Sequence, residues 1–158
     1  MNLKTIRSIR SNRTLHLIDI ENLCGESNLT IGQVRAIDAA YKDLTKPQKE
    51  DLFFVTVSST NNLEAAMFGW QGAKIACREG RDGADILLAN ELLNPKTSDM
   101  FENIFLASGD GGLAPFVSRA KSQGCKVTIV SATESLSHYM RYLGADIRYI
   151  DREYSLAA

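Results

Sequence analysis

One short segment of the chain reads Leu15-His16-Leu17-Ile18-Asp19-Ile20-Glu21-Asn22. Its apolar first half predicts a buried strand over residues 14–20. The apolar run ends on Asp19, and Asn22 follows three residues later. A carboxylate and an amide thus stand at the end of a strand, where open parallel sheets bind their ligands.

Similar apolar runs alternate with helical patterns along the whole chain. Strands are also predicted over residues 52–57, 74–77, 103–107, 126–131 and 146–150. Helices are predicted between them, over residues 31–44, 62–70, 84–93, 113–123 and 134–143, the first capped by Thr30. Continuous apolar strands that alternate with helices are typical of a mostly parallel sheet covered on both faces. The predicted fold class is therefore α/β, with about six strands.

The composition fits one globular domain and excludes a membrane span. The chain has 158 residues, of which 44% are hydrophobic, and a net charge of −1. No apolar run approaches the roughly 18 residues that a membrane helix needs. Three cysteines without CxxC spacing favour reduced thiols, so we expect a cytoplasmic protein.

The N-terminal end differs in charge from the rest. Residues 1–13 form a basic arm without acidic residues, and residues 14–158 form the predicted domain. The basic residues of the arm are Lys4, Arg7, Arg10 and Arg13. Such an arm can hold a nucleic-acid backbone. A solvated terminus and a transit peptide are the alternatives.

Two more acids lie at predicted element ends. Asp110 stands in Ser108-Gly109-Asp110-Gly111-Gly112, directly after a strand, and Asp85 opens an apolar helix. Together with Asp19 they could meet around one hard cation, Mg²⁺ or Mn²⁺, which prefers oxygen ligands. Glycines and a helix N-terminus favour phosphate, and a carboxylate there would repel phosphate unless a cation lies between them.

Structural roles for the same residues stay open. Asp19 or Asn22 could cap a local turn, and Asp110 could cap the helix that follows it. Asp82 could cap the helix that carries Asp85. Asp82 and Glu91, which lies six residues past Asp85, are secondary acid candidates. We expect His16 and His138 to be structural.

The ordered motifs resemble the NYN domain family of the PIN-like nuclease superfamily. The resemblance rests on Leu17-Ile18-Asp19-Ile20-Glu21-Asn22, on the segment from Gly83 to Glu91, and on Leu106-Ala107-Ser108-Gly109-Asp110-Gly111-Gly112 with its continuation to Val117. It covers roughly residues 14–151. It implies a three-layer, Rossmann-like (PIN-like) fold and Mg²⁺- or Mn²⁺-dependent ribonuclease activity.

The resemblance also implies roles for individual residues. Asp19, Asp85 and Asp110 would be the metal ligands, and Asn22 would orient a ligand or the substrate. Where the family motif has a second aspartate, this chain has Gly112. The loss of that carboxylate could weaken metal affinity or abolish turnover, and Asp82 or Glu91 could compensate.

The predicted function is a cytosolic, metal-dependent ribonuclease with RNA as its partner. Ser108 and Asn22 would position the water or the phosphate, while Arg78, Arg81 and the basic arm would contact the RNA backbone. One alternative is a catalytically impaired, NYN-type nucleic-acid-binding or regulatory protein. Another is a small-molecule phosphohydrolase that uses the same acids. Self-association as a homo-oligomer is left open.

Overall fold

The computed structural model describes residues 2–3 and 13–153. Six strands form its sheet: β1 Thr14–Asp19, β2 Leu52–Val57, β3 Lys74–Cys77, β4 Asn103–Ala107, β5 Lys126–Ser131 and β6 Asp146–Tyr149. The helices are α1 Ile20–Cys24, α2 Ile31–Thr45, α3 Leu63–Gly69, α4 Gly83–Leu93, α5 Pro95–Met100, α6 Ala114–Ser122 and α7 His138–Arg141. Short 3-10 turns occupy Thr60–Asn62, Gly111–Leu113 and Thr133–Ser135.

The strands form a single parallel sheet in the order β3-β2-β1-β4-β5-β6. The chain moves outward from β1 to β3 and then returns to the other side of β1 with β4. The predicted α/β class is confirmed, and the sheet is entirely parallel. A crevice is expected where the order reverses, beyond the carboxyl ends of β1 and β4.

Two apolar cores lie on opposite faces of this sheet. One packs α4 and α6 against the strands through residues such as Leu88, Leu92 and Val117. The other packs α1, α2 and α3 through residues such as Leu23, Ile37 and Trp70. Helices therefore cover both faces, which gives the predicted three layers.

The start of α2 follows the sequence signal at Thr30. The Thr30 hydroxyl accepts a hydrogen bond from the Gln33 N–H at 3.1 Å, and the Gln33 side chain accepts from the Thr30 N–H at 2.9 Å. This reciprocal capping box satisfies two N–H groups that the first turn of a helix leaves unpaired. The predicted N-cap is confirmed.

Local structure differs from the prediction in three places. The predicted helix over residues 134–143 is only the 3-10 turn and the short α7, because the Ser137 N–H donates to the Gly109 carbonyl at 2.8 Å and interrupts the helical pattern. The first strand ends at Asp19 rather than at residue 20, since α1, a helix that was not predicted, starts at Ile20. The sequence reading also missed α5, which starts at Pro95 after an Asn94 cap.

Among the described residues, no helix is long and apolar enough to cross a membrane. The N-terminal arm lies outside the described residues, apart from residues 2–3 and 13.

Candidate active site

The predicted acids lie at the carboxyl edge of the sheet, near the reversal of strand order. Asp19 is the last residue of β1, Asp110 follows β4, and Asp85 lies in the first turn of α4. The negative charge of Asp110 raises the pKa of both Asp19 and Asp85, and the charge of Asp19 raises the pKa of Asp85. Three chain segments, distant in sequence, thus bring their carboxylates within electrostatic reach of one another.

Asp19 is a buried carboxylate that caps α1 through a hydrogen bond. Its side chain is 8% exposed, and Oδ1 accepts from the Asn22 N–H at 3.0 Å, which caps α1. Burial, together with the charges of Glu21 and Asp110, raises the pKa of Asp19 to about 6, although the hydrogen bond from the Asn22 N–H lowers it. The cap uses one carboxylate oxygen, so the residue can still present its second oxygen to a ligand.

Asp85 and Asp110 form a pair of like charges. The charge and the side chain of Asp110 both favour the protonated form of Asp85. Burial and the negative charges of Asp110 and Asp19 raise the pKa of Asp85 to about 7. Asp110 also caps the following 3-10 turn, since its Oδ1 accepts from the Gly112 N–H at 2.8 Å.

This donor set fits an open cation site rather than a closed one. Within residues 2–3 and 13–153, no group of three or more His, Cys, Asp and Glu side chains could hold a metal ion by itself. Mg²⁺ binds typically through one or two carboxylates and keeps several waters, which substrate phosphates can replace. The Asp85–Asp110 pair has the chemistry for such a site, with Asp19 as a neighbouring third charge.

A cleft of about 480 Å³ opens beside this pair, between α4 and α6. Its acidic side is formed by Asp82, Asp85 and Asp110, and Gly112 lies next to them. The opposite wall is mostly apolar and consists of Ile86, Ala89, Leu93, Leu113 and Phe116, with Asn90 as its polar member. Asp19 is not among the lining residues.

Asn22 and Ser108 form hydrogen bonds that hold the loop after β4. The Asn22 amide oxygen accepts from the Gly109 N–H at 3.0 Å, which joins α1 to the loop after β4. Ser108 is fully buried, and its hydroxyl accepts from the Asp110 N–H at 3.2 Å. Ser108 therefore lies beneath the loop in this structure, and its contact with a phosphate stays a prediction.

The glycine loop differs from the expected phosphate cradle. The N–H groups of Gly109 and Gly112 already donate to the side chains of Asn22 and Asp110. A Cβ at Gly109 would lie 2.1 Å from the Ser135 carbonyl oxygen, so glycine is needed there for close packing. At Gly112 the nearest atom to such a Cβ is Asp110 Oδ1, at 3.1 Å. The position at which the family motif has its second aspartate thus has room for a side chain.

The two secondary acid candidates, Asp82 and Glu91, lie at different cavities. Asp82 lines the cleft and occupies the N-cap position of α4, but it makes no capping hydrogen bond with its side chain. The Ser58 hydroxyl accepts from the Ala84 N–H instead, at 3.1 Å. Glu91 lines a separate cavity next to Leu52 and Lys74, so it does not replace the missing carboxylate.

Arg78 and Arg81 lie on the exposed loop between β3 and α4. The loop turns so tightly that a Cβ at Gly83 would be 1.7 Å from the Arg78 carbonyl oxygen. Only glycine fits this approach of the backbone to itself. Asp85 follows Gly83 by two residues, so this loop leads directly into the acidic first turn of α4.

Two residues that support the site were missed by the sequence analysis. Glu21 accepts hydrogen bonds from the Ser58 N–H at 2.8 Å and from the Asn62 side chain at 3.2 Å, so it joins α1 to the loop after β2. Arg152 donates to the carbonyl oxygens of Asn22 at 2.7 Å and Leu23 at 3.1 Å. In the sequence, only the position of Glu21 close to a strand end pointed to a role in the site. Nothing in the sequence pointed to Arg152.

Arg152 also donates to the side chains of Ser135 and Glu134. The segment after β6 is thus held against α1 and the loop after β5.

Comparison with known proteins is consistent with this architecture. A family model described as NYN domain matches residues 13–143, which is more than four fifths of the chain. A crystal structure of a protein of unknown function from Vibrio parahaemolyticus superimposes with a TM-score of 0.61 at 18% identity, over 90% of this chain and 94% of that one. At that identity the likeness shows the fold alone. No curated protein sequence gives a significant match.

Proposed function

This chain belongs to the NYN domain family, a family of nuclease-type fold, and from that premise we propose that it is a ribonuclease dependent on Mg²⁺ or Mn²⁺. The observation that carries the proposal is the Asp85–Asp110 pair. Both carboxyl groups line one open cleft, where burial and the negative charges of Asp110 and Asp19 raise the pKa of Asp85. A bound cation would relieve this repulsion.

Each acid contributes differently to the proposed site. Asp85 and Asp110 would hold the cation, and Asp19 adds a third negative charge that strengthens cation binding. When bound, Mg²⁺ or Mn²⁺ supplies a water of lowered pKa and neutralises charge on the phosphate. Asn22 keeps the Asp110 loop at a fixed place through its bond to Gly109.

The RNA backbone would be held mainly by arginine and by the cation. The loop N–H groups of Gly109 and Gly112 are already engaged, so they do not supply an anion site. Arg78 and Arg81 are exposed beside α4 and can bind phosphate oxygens with two donors each. Because the net charge of the chain is −1, we expect modest affinity that falls as salt increases. We place this activity in the cytoplasm.

A second candidate function is nucleic-acid binding without cleavage. Gly112 favours it, because this position leaves the loop without the second carboxylate of the family motif. Glu91 does not compensate, since it lines another cavity.

The test is cleavage of single-stranded and structured RNA with Mn²⁺ or Mg²⁺. Asp85→Asn, Asp110→Asn and Asp19→Asn are compared with the wild type, and Glu91→Gln, on the same helix as Asp85, is the matched control. We expect losses of about a hundredfold or more for Asp85→Asn and Asp110→Asn, with Glu91→Gln unchanged.

The other outcomes separate the alternatives. RNA binding without cleavage by the wild type would support the non-catalytic protein. Hydrolysis of free nucleotides or phosphomonoesters alone would indicate a small-molecule phosphohydrolase. Cleavage that survives Asp85→Asn and Asp110→Asn would refute the proposed site.

A further inference from the structure

Two tyrosines on the surface next to the site are unusually exposed. Tyr139 and Tyr142 have 72% and 74% of their surface accessible to solvent. His138, also exposed, lies edge-on to both, with ring centroids 6.2 Å from Tyr139 and 4.8 Å from Tyr142. We call these three residues the aromatic shelf. Large aromatic side chains that are left in water together indicate an interaction surface.

The aromatic shelf is attached directly to the loop that carries Asp110. The Ser137 N–H, just before α7, donates to the Gly109 carbonyl oxygen at 2.8 Å. A Cβ at Gly111 would lie 3.1 Å from Cδ2 of Tyr139 and 2.4 Å from the Ser137 hydroxyl oxygen. The Tyr139 ring therefore stands against the residue that follows Asp110. The shelf adjoins the acidic pair without lining the cleft.

Positive charges flank the shelf. Arg141 is exposed on α7. Lys121 Nζ donates to the Leu143 carbonyl oxygen at 2.6 Å and would be 3.3 Å from a Cβ at Gly144, so its charge lies beside the turn that follows Tyr142. Aromatic rings with interspersed cations are complementary to an unpaired nucleic-acid strand, whose bases stack while its phosphates meet the cations.

We propose that the aromatic shelf stacks the bases of an unpaired RNA segment next to the phosphate bound at Asp85 and Asp110. This rests on the proposed function and adds a base-binding site to it. A duplex keeps its bases stacked on each other, so only an unpaired segment can offer base faces to Tyr139 and Tyr142. The shelf thus selects single-stranded RNA, or loops, over helices.

The experiment measures binding in Ca²⁺, whose oxygen ligands allow it to bridge carboxylates and phosphate, with Mg²⁺ and Mn²⁺ left out to limit cleavage. A fluorescent single-stranded RNA octamer is compared by anisotropy with the same octamer carrying abasic nucleotides at its central positions. The proteins are the wild type, Tyr139→Ala, Tyr142→Ala and Tyr139→Phe. Tyr149→Ala is the control, because Tyr149 is also exposed, at 48%, but lies on β6. Thermal melting checks that each variant is folded.

We expect each alanine variant to weaken binding of the intact octamer about tenfold. Its binding of the abasic octamer should change little, and Tyr139→Phe and Tyr149→Ala should behave as the wild type. Equal losses for both octamers, or no loss, would overturn the proposal. So would a wild type that binds neither octamer at low salt.

Two further readouts keep this proposal distinct from others. If Tyr→Ala variants turn a dimer into a monomer by light scattering without changing RNA affinity, the shelf joins two copies of the chain and the proposal is wrong. Adding Mn²⁺ to the same octamer tests cleavage separately. Cleavage without base-dependent binding refutes the shelf alone, and base-dependent binding without cleavage refutes the nuclease alone.

Discussion

The two ends of β1 bury polar side chains in opposite ways. His16, near its start, donates and accepts within the protein: its ring nitrogens lie 2.9 Å from Asp51 Oδ2 and 2.7 Å from the Tyr41 hydroxyl. Since the Asp51 carboxylate accepts from Nε2, the other nitrogen accepts from Tyr41. Asp19, at the end of β1, is instead surrounded by negative charge from Glu21 and Asp110.

The neighbouring strands reinforce this contrast. His16 is in register with Phe53 on β2 and Phe105 on β4, and its ring stacks between them at 4.4 Å and 5.2 Å. At the amino end of the sheet, both ring nitrogens of His16 thus have a hydrogen-bond partner within the protein. The carboxyl end leaves carboxylates facing one another, an arrangement that favours an external cation. Complete internal pairing indicates stability, and surplus like charge indicates function.

The largest expected effect on stability comes from removing His16, whose ring is hydrogen-bonded at the amino end of the sheet. His16→Ala should lower the free energy of unfolding by about 4 kcal/mol, because it opens a cavity between two rings and leaves Tyr41 and Asp51 without their buried partner. Urea denaturation measures it. Asp85→Asn serves as the opposite case, since it removes one of two like charges and should not destabilise the metal-free protein. Similar losses of unfolding free energy in His16→Ala and Asp85→Asn would contradict the difference between the two ends of the sheet.

A second prediction concerns divalent cations. Mn²⁺ at a hundred times its dissociation constant should raise the free energy of unfolding by about 2.7 kcal/mol, through binding at Asp85 and Asp110. Denaturation with and without Mn²⁺ measures this. Glu91→Gln should respond as the wild type and Asp110→Asn should not. An Asp110→Asn variant stabilised as strongly as the wild type would place the cation elsewhere.

The contributions of Asp19 and His16 to the stability of the fold should depend on pH in opposite directions. Burial raises the pKa of Asp19 from 3.8 to about 6, so its contribution to stability is complete below pH 3.8 and is lost as pH rises to about 6. Burial lowers the pKa of His16 below 6.5, so its contribution is complete above pH 6.5 and is lost as pH falls.

Asp19→Asn isolates the acidic contribution, because asparagine can still cap α1. In EDTA, the variant should gain about 2 kcal/mol relative to the wild type between pH 4 and pH 7. Urea denaturation across this range provides the measurement. A constant difference between the two proteins would show that burial does not perturb this carboxylate.

The smallest expected effect comes from adding a charge to the acidic end. Gly112→Asp places a carboxylate where a Cβ meets only Asp110 Oδ1 within 4 Å. It should tighten Mn²⁺ binding about tenfold, which is about 1.4 kcal/mol, while lowering metal-free stability slightly through repulsion. Calorimetric titration with Mn²⁺ compares it with Gly112→Ala, which adds the Cβ without the charge. Equal affinities in these two variants would mean that position 112 does not face the cation.

The strands were predictable because their signals are local. The predicted bounds of β2, β3, β4 and β5 coincide with the observed ones. Each has a mostly apolar interior, which in β2 and β5 is rich in β-branched or aromatic residues. Fixing the strand ends also located Asp19 and Asp110 at one edge of the sheet, since the strands are parallel.

Structure that depends on distant partners was not predictable. The apolar pattern over residues 134–143 suggested one helix, yet a hydrogen bond from Ser137 to the remote Gly109 divides it. The same loop bonds determined that Ser108 is buried and that Asn22 holds Gly109. Glu91 shares a helix with Asp85, but their separation around α4 places it at another cavity.

The bonds of Arg152 have a consequence for biosynthesis. The chain leaves the ribosome from its N-terminus, so β1 and α1 emerge long before the arginine that grips the carbonyl groups of Asn22 and Leu23. Until Arg152 has left the ribosome, the carboxyl edge of the nascent sheet lacks these two hydrogen bonds. We therefore expect the carboxyl edge of the sheet to reach its final geometry only after Arg152 has emerged and folded back against α1.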